Sequence, residues 1–548
     1  MAFHQSMARF LFITLYDEYC LGARQLVANL RAGGHEAFLL CMKQYGKKTL
    51  ADGENPEPEW QIELLPNGSR AVLCYPFEIT EREKQLAREF LKRLKPDIVG
   101  FSVYTPQLAR AIEVTRLARK ALPETPIVWG GPHPTLDPEE SCRHAGFVIV
   151  GEADVPVMEL AAALDNGAGW RELPGAAFVS GGALIRNPPA PVVDNLDSLP
   201  SPWHENGGVF YLDNDELAEG VPFAASGLRD THKIMTTRGC PYACSYCMLS
   251  YYKEIAPHAA KLRFRSVAHV ISELEREKAR RGSFYLEIED DIFTLKPERM
   301  EKFFSAYREK IAMPFWCYTH PNYARDPALK ILRDNNAQYI IMGIESGSER
   351  IANGVFNRRT DNSAVIEAAR RINGHGLRVF CDLISNNPFE SEEDRTETFH
   401  LLRSLPRPFE LQLVELSFYP NIRIERLRTE RGLPRKAGFQ QYRFWNALYH
   451  LASAIEISDG DAARLLGEPA LRNNPALLEH LAGEVSRLAR SEAGERARRR
   501  NLETETARLA READSFRGRL DDITRRRGHG CFLRLSDKLR AARKLLGA

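Results

Sequence analysis

The chain has 548 residues, 44% of them apolar and 27% charged. That is room for about three domains, and the balance excludes a disordered or collagen-like chain. A formal net charge of +2 excludes a strongly basic or acidic protein, no apolar run reaches the roughly eighteen residues of a membrane-spanning helix, and ten cysteines are too sparse for a disulfide scaffold.

Ala8–Leu15 reads as a first strand and not a signal peptide, because the apolar run is short and meets Asp17 and Glu18. Arg24–Arg31 has helical spacing and stops at Gly33-Gly34, and His35–Met42 is a second strand. Pro96–Tyr104 is a third, with a helix over Gln107–Ala121 behind it; Thr125–Gly131 is a fourth; Phe147–Gly151 is a fifth, with a helix near Val155–Leu164. Strands this apolar are covered on both faces, which predicts a doubly wound parallel sheet over residues 1–190 with its ligand at the strand carboxyl ends. Five prolines between Pro188 and Pro202 make residues 191–228 read as a linker.

From His232 the alternation resumes. Strands are expected at Lys233–Arg238, Phe284–Asp290, Pro314–Thr319, Tyr339–Glu345, Arg378–Ser385 and Glu410–Phe418, with helices such as Val267–Arg280 and Ala364–Ile372 between them. Six such units over 229–430 predict a partial (β/α)6 barrel whose active site lies at the strand carboxyl ends. Residues 431–548 are helical in pattern and rich in arginine, with basic runs at Arg496–Arg500 and Arg525–Arg527. The fold class is therefore α/β, with a mainly helical C-terminal region that shapes a substrate pocket or an interaction surface.

Seven cysteines are scattered (Cys20, Cys41, Cys74, Cys142, Cys317, Cys381 and Cys531) and read as buried reduced thiols of a cytoplasmic protein. The other three, Cys240, Cys244 and Cys247, fall within eight residues directly after the first barrel strand. Three thiolates suit an iron–sulfur cluster or zinc. Structural zinc wants four ligands, and neither His232 nor His258 lies at a sensible spacing for the fourth. Three cysteines leave one iron of a cubane open to a ligand.

The segment Arg238-Gly239-Cys240-Pro-Tyr-Ala-Cys244-Ser-Tyr246-Cys247 resembles the signature of the radical S-adenosylmethionine (SAM) enzymes. The resemblance implies a [4Fe–4S] cluster on the three cysteines and Tyr246 near the adenine of SAM. It places the backbone of Glu289, Asp290 and Asp291, at the end of strand two, beside the SAM amino group. Gly343-Ile344-Glu345-Ser346-Gly347-Ser348 resembles the family's GIES run, in which Glu345 and Ser346 meet the ribose and carboxylate. At strand five the family's usual GLPGET is replaced by Asp382-Leu-Ile-Ser-Asn386-Asn387-Pro388, which leaves Asn386 as the adenine-side candidate. His320 and Tyr419, at the ends of strands three and six, are candidates for substrate contact.

The N-terminal domain has no GxGxxG after its first strand, so a dinucleotide is not expected. Its strand ends carry Ser102, Tyr104 and Thr105; Gly130, Gly131 and His133; and Gly151 and Glu152. With the domain order and the Leu196–Trp203 segment, these resemble the cobalamin-binding class of radical SAM enzymes, over residues ~8–430. No DxHxxG motif is present, and His133 sits in a turn. The expected cobalamin is thus base-off, with its lower face against Tyr104, Thr105 or solvent.

The resemblance implies reductive cleavage of SAM to a 5′-deoxyadenosyl radical that abstracts a substrate hydrogen, followed by methyl transfer from methylcobalamin to an unactivated carbon. Two alternatives stay open: a non-methylating rearrangement, cyclisation or oxidation, and a cobalamin- or cluster-binding protein without catalysis. Expected partners are a small-molecule or lipid-like substrate and an external electron donor such as flavodoxin or ferredoxin, and not nucleic acid. The stretch Leu535, Leu539, Ala542, Leu546 with Lys538, Arg540, Arg543 and Lys544 reads as a basic amphipathic helix, packed on its own domain or touching an anionic membrane.

Overall fold

The structure, a computed structural model, describes residues 7–44, 46–49, 61–64, 70–75, 78–223, 231–476, 478–483 and 485. The apolar run after Ala8 becomes β1 (Arg9–Leu15), and its partner is β2 (Glu36–Met42). Three short strands follow, β3 (Gly46–Thr49), β4 (Gln61–Leu64) and β5 (Arg70–Tyr75), in a separate antiparallel sheet. Then come β6 (Ile98–Ser102), β7 (Ile127–Gly130), β8 (Phe147–Ile149), β9 (Ala176–Ser180), β10 (Ala183–Arg186), β11 (Val209–Asp213) and β12 (Glu216–Glu219).

These make one sheet in the order β10-β9-β8-β7-β6-β1-β2-β11-β12, parallel from β8 to β11. Its two faces alternate along β1. Leu11 and Ile13 pack under α2 (Glu81–Leu94) and α3 (Leu108–Ala121), while Phe10 and Phe12 pack under α1 (Leu21–Ala32) and α4 (Asp154–Asp165). Chain order reverses between β1 and β6, which opens a crevice at their carboxyl ends.

The 191–228 stretch is more than a connection. β11 pairs in parallel with β2, Val209 opposite Leu39, and β12 folds back on it, so this segment completes the first sheet. The hairpin turns on Asn214 and Asp215, both at positive φ (50° and 60°), the conformation a two-residue turn needs to match strand twist.

The second sheet contains β13 (Thr231–Ile234), β16 (Tyr285–Ile288), β17 (Phe315–Thr319), β18 (Ala337–Glu345), β19 (Val379–Ser385) and β20 (Glu410–Glu415). All five pairings are parallel, and the order β13-β16-β17-β18-β19-β20 leaves the barrel open between first and last strands. A two-stranded ribbon, β14 (Thr237–Arg238) with β15 (Arg263–Phe264), stands at its mouth. Outer positions such as Ile288, Phe315, Cys317, Met342 and Cys381 are fully buried against helices, Phe315 lying 4.9 Å from Phe304 of the helix Pro297–Lys310. The alternate positions Trp316, Tyr318, Tyr339, Phe380 and Asp382 therefore face the lumen.

After β20 the described chain is helical, led by Phe439–Ala454, whose Tyr449 hydroxyl donates to the carbonyl of Arg395 at 3.1 Å. The basic runs beyond residue 490 and the amphipathic stretch at 535–546 lie outside the described residues. Among the described residues no helix is long and apolar enough to cross a membrane.

Asp290, expected at the SAM amino group, has its carboxylate turned to another task. It is fully buried and accepts from the backbone N–H groups of Thr236 and Thr237 and from the Thr236 hydroxyl. Arg299 donates to that hydroxyl at 3.0 Å. Asp290 thus ties the end of β16 to the start of the cysteine loop. Asp290→Ala is expected to orphan two buried backbone donors and cost about 3 kcal/mol, read as a lower denaturant midpoint.

Candidate active site

Gly239, at φ 92°, turns the chain out of β14 into the loop that carries the three cysteines, and the helix α5 (Met248–Ile255) begins directly after Cys247. The loop is fixed by its backbone. The Ser245 amide donates to the carbonyl of Phe356 at 2.9 Å and its hydroxyl to that of Val355 at 2.7 Å. Asn357 donates to the carbonyl of Ala243 at 2.8 Å, and Lys253 to those of Cys240 and Tyr242. Cys244 is buried, and Cys240 and Cys247 are half-buried. Burial pushes the Cys240 thiol up to about 11 and the Cys247 thiol to about 12, with neighbouring Asp291 and the other cysteine sulfurs adding to the rise. Crowded thiolates of this kind persist at neutral pH when bound to metal, so the donor set fits an iron–sulfur cluster.

The end of β18 supplies the opposite wall. Glu345 sits at a register shift between β18 and β19 with φ 69°, and burial raises its carboxyl. Its counter-charge is Arg358, 3.4 Å away. The same guanidinium donates to the Tyr246 hydroxyl at 2.9 Å and to the Gly343 carbonyl at 2.7 Å, and approaches Cys244 Sγ at 4.0 Å. Arg358 therefore joins the cysteine loop, the aromatic slot and the GIES run. Its Nε is buried and without a partner, a donor left for a bound ligand. Sequence reasoning missed this residue; the signal was an arginine pair thirteen residues beyond Glu345, recognisable only once the chain is folded. Ser346 is buried and its hydroxyl accepts from the Ser348 amide at 3.2 Å.

Several of the expected site residues have partners within the protein. The Asn386 amide is spent between Glu415, at 3.0 Å, and the Ala437 N–H, at 2.9 Å, which holds the end of β19 to the chain after β20. His320 is buried behind the cysteine loop, stacked on Tyr242 with ring centroids 4.2 Å apart, and burial holds its pKa down at about 3. Its Nδ1 accepts from the Asn322 amide at 3.2 Å, and its buried Nε2 has no hydrogen-bond partner. Tyr419 packs with Tyr246 and Met248 in an apolar cluster around Phe389 and Phe418. Glu289 pairs with Lys233 at 2.9 Å, and Lys233 lies over the ring of Tyr19 in the first domain. Asp291 remains beside the cysteines, its carboxyl pushed up to about 6 by burial and by Asp290.

A cavity of about 510 Å³ runs from the carboxyl ends of β1, β6, β7 and β8 to the barrel mouth. Ser102, Gly130, Gly131, Gly151 and Glu152 line it on one side, and Gly239, Cys247 and Asp291 on the other. A side chain at Gly130 would meet nothing within 4 Å, so the glycine leaves open space toward the cavity, as a bulky corrin would require. Tyr104, Thr105 and His133 are not part of the lining. Tyr104 is 39% exposed, and His133 is buried with its Nδ1 3.1 Å from the Thr105 hydroxyl.

Glu152 borders the cavity but its carboxylate is taken. It pairs with Arg238 at 2.9 Å and with Arg263, while Arg238 also reaches Asp154 at 2.7 Å. These partners span the two sheets and hold the cysteine loop against the end of β8.

The chain matches the B12 binding domain family over residues 71–161 and the Radical SAM superfamily over residues 234–402. It is 27% identical to an uncharacterized methyltransferase of Pyrococcus horikoshii over 61% of this chain and 70% of that one. It is 26% identical to the anaerobic magnesium-protoporphyrin IX monomethyl ester cyclase of Cereibacter sphaeroides over 57% of this chain and half of the cyclase. The fold is shared with the radical SAM methyltransferase TsrM of Kitasatospora setae, solved with cobalamin and a [4Fe–4S] cluster bound, at a TM-score of 0.58 and 16% identity over 78% of each chain. The chain thus carries a B12-binding domain and a radical SAM domain together, the pairing of the cobalamin-binding radical SAM enzymes, and these two domains imply a [4Fe–4S] cluster, SAM and cobalamin as cofactors.

Proposed function

We propose that the protein is a radical C-methyltransferase acting on a small-molecule or lipid-like substrate. The observation that carries this reading is the single cavity that puts the ligand face of the N-terminal sheet and Cys247 on opposite walls of one space. When bound, the cluster with SAM supplies a hydrogen-abstracting radical and cobalamin supplies a methyl group.

The chain's own part is to hold and to exclude. Arg358 and Glu345 form a buried charged pair at the carboxyl end of β18, suited to the zwitterionic methionyl end and the ribose of SAM. Tyr246, edge-on to Phe356 at 5.0 Å, offers an aromatic surface near the adenine. The lumen wall of Trp316 stacked on Tyr339 at 5.4 Å, with Phe380 4.8 Å beyond, suits an apolar or ring-bearing substrate. Among these rings Asp382 is pushed up to about 8 by burial and by Glu345, and its buried Oδ1 has no partner. It stands protonated near neutrality and can donate a hydrogen bond to the substrate. An external one-electron donor such as flavodoxin or ferredoxin and a cytoplasmic location go with this reading.

Similarity to the anaerobic cyclase favours one second reading, ring formation without methyl transfer. Anaerobic turnover with excess SAM and a strong reductant separates them. Methyl transfer gives S-adenosylhomocysteine and 5′-deoxyadenosine in equal amounts with product, whereas cyclisation gives deoxyadenosine alone. Deoxyadenosine without homocysteine product would remove the methyltransferase reading.

A further inference from the structure

Behind the barrel mouth, on the far side of the first strand from the cysteine loop, three ligand-type side chains meet. His204 directly follows the Pro200–Trp203 segment, ahead of β11, His232 comes from β13, and Glu273 from α6 (Val267–Arg281). One ligating atom of each lies within 4.8 Å of the other two. His232 and Glu273 are both 2% exposed. His232 Nε2 stands 3.3 Å from Glu273 Oε1, and the His204 ring meets the His232 ring edge-on at 4.7 Å.

Hydrogen bonding accounts for two of the three. Glu273 uses its other oxygen on Arg265 and its first on His232. His204 Nε2 is buried with no hydrogen-bond partner. An orphaned buried polar atom costs roughly 1–3 kcal/mol, and no protein donor or acceptor within reach satisfies it. Behind His232, Glu277 Oε2 lies 3.8 Å from Nδ1 while pairing with Arg280 and Arg281, which places a further carboxylate beside the imidazole. A cavity of about 600 Å³ lined by Trp203, His204, Glu273 and Glu277 reaches the site from outside.

We propose that His204, His232 and Glu273 form a second metal site, separate from the cysteine loop, that takes a zinc-class divalent cation and leaves its remaining position to water from that cavity. Two imidazoles and one carboxylate are a nitrogen–oxygen set of intermediate softness, suited to zinc and cobalt and unlike the thiolate set of the cluster. The cation gives His204 its missing partner and pins the segment ahead of β11 to β13 and α6. Since Glu273 also borders the active-site cavity, the pin fixes part of that wall.

The test uses the full chain with Cys240, Cys244 and Cys247 changed to alanine, so that no metal can sit on the loop. After zinc loading and desalting, metal analysis is expected to give about one equivalent, falling to background in the same protein with His204→Ala. Cobalt loaded in place of zinc is expected to show visible ligand-field bands without thiolate charge transfer, a signature that does not depend on the folding of the His204 variant. Zinc no higher than in the His204→Ala protein, or a cobalt spectrum without ligand-field bands of a bound ion, overturns the proposal.

Discussion

Cys244→Ala protein is expected to fold, to bind at most a trace of iron after anaerobic reconstitution, and to form no detectable 5′-deoxyadenosine. Cys244 Sγ lies deep in the loop, yet none of the bonds that fix the loop passes through it. Those bonds run from Ser245, Asn357 and Lys253 to backbone carbonyls. Removing the sulfur therefore takes away one of three ligands while leaving the scaffold. A cubane held by two thiolates is not retained, and without it no electron reaches SAM. The checks are iron and sulfide content, circular dichroism, and deoxyadenosine by chromatography. Wild-type levels of deoxyadenosine from the variant would remove the cluster assignment itself.

The second large effect is expected at Arg358. Arg358→Ala leaves the Glu345 carboxylate buried beside nothing positive, which costs about 3–5 kcal/mol. It also removes the donors that meet Tyr246 and Gly343, so deoxyadenosine formation is expected to fall at least ~100-fold with a raised KM for SAM. Arg358→Lys keeps the charge but not the planar fork, and is expected to recover stability better than rate. The double variant Arg358→Ala with Glu345→Gln separates the two effects. It removes both buried charges, so its thermal midpoint should return most of the way while the rate stays low. Near-normal KM for SAM in the single variant would show that Arg358 is a structural counter-ion only.

The barrel strands were legible because each is a short apolar run ended by a chemically marked residue: Asp290 after β16, His320 after β17, Glu345 closing β18. The cysteine spacing carried the cofactor reading for the same reason, since all three ligands lie in one local stretch. What stayed hidden depends on distant partners. Arg358 becomes a site residue only because the turn after Glu345 brings it back against Tyr246. Glu152 and Asp290 were well placed along the chain, but which way their carboxylates turn is decided by Arg238, Arg263 and Thr236, far away in sequence. The hairpin of β11 and β12 was masked by its proline-rich surroundings, although Asn214-Asp215 between alternating residues was a turn signal in plain view.

The bridge from Arg238 to Glu152 and Asp154 also bears on modularity. Arg238 is two residues before the first cysteine, while its partners follow β8 of the other sheet, so one guanidinium sets the spacing between the two halves. Chimeras that graft the N-terminal half of one relative onto the barrel of another must therefore carry Arg238, Arg263, Glu152 and Asp154 as one set. A graft that matches the two sheets but breaks this quartet should yield two well-folded halves that no longer share a common origin of coordinates.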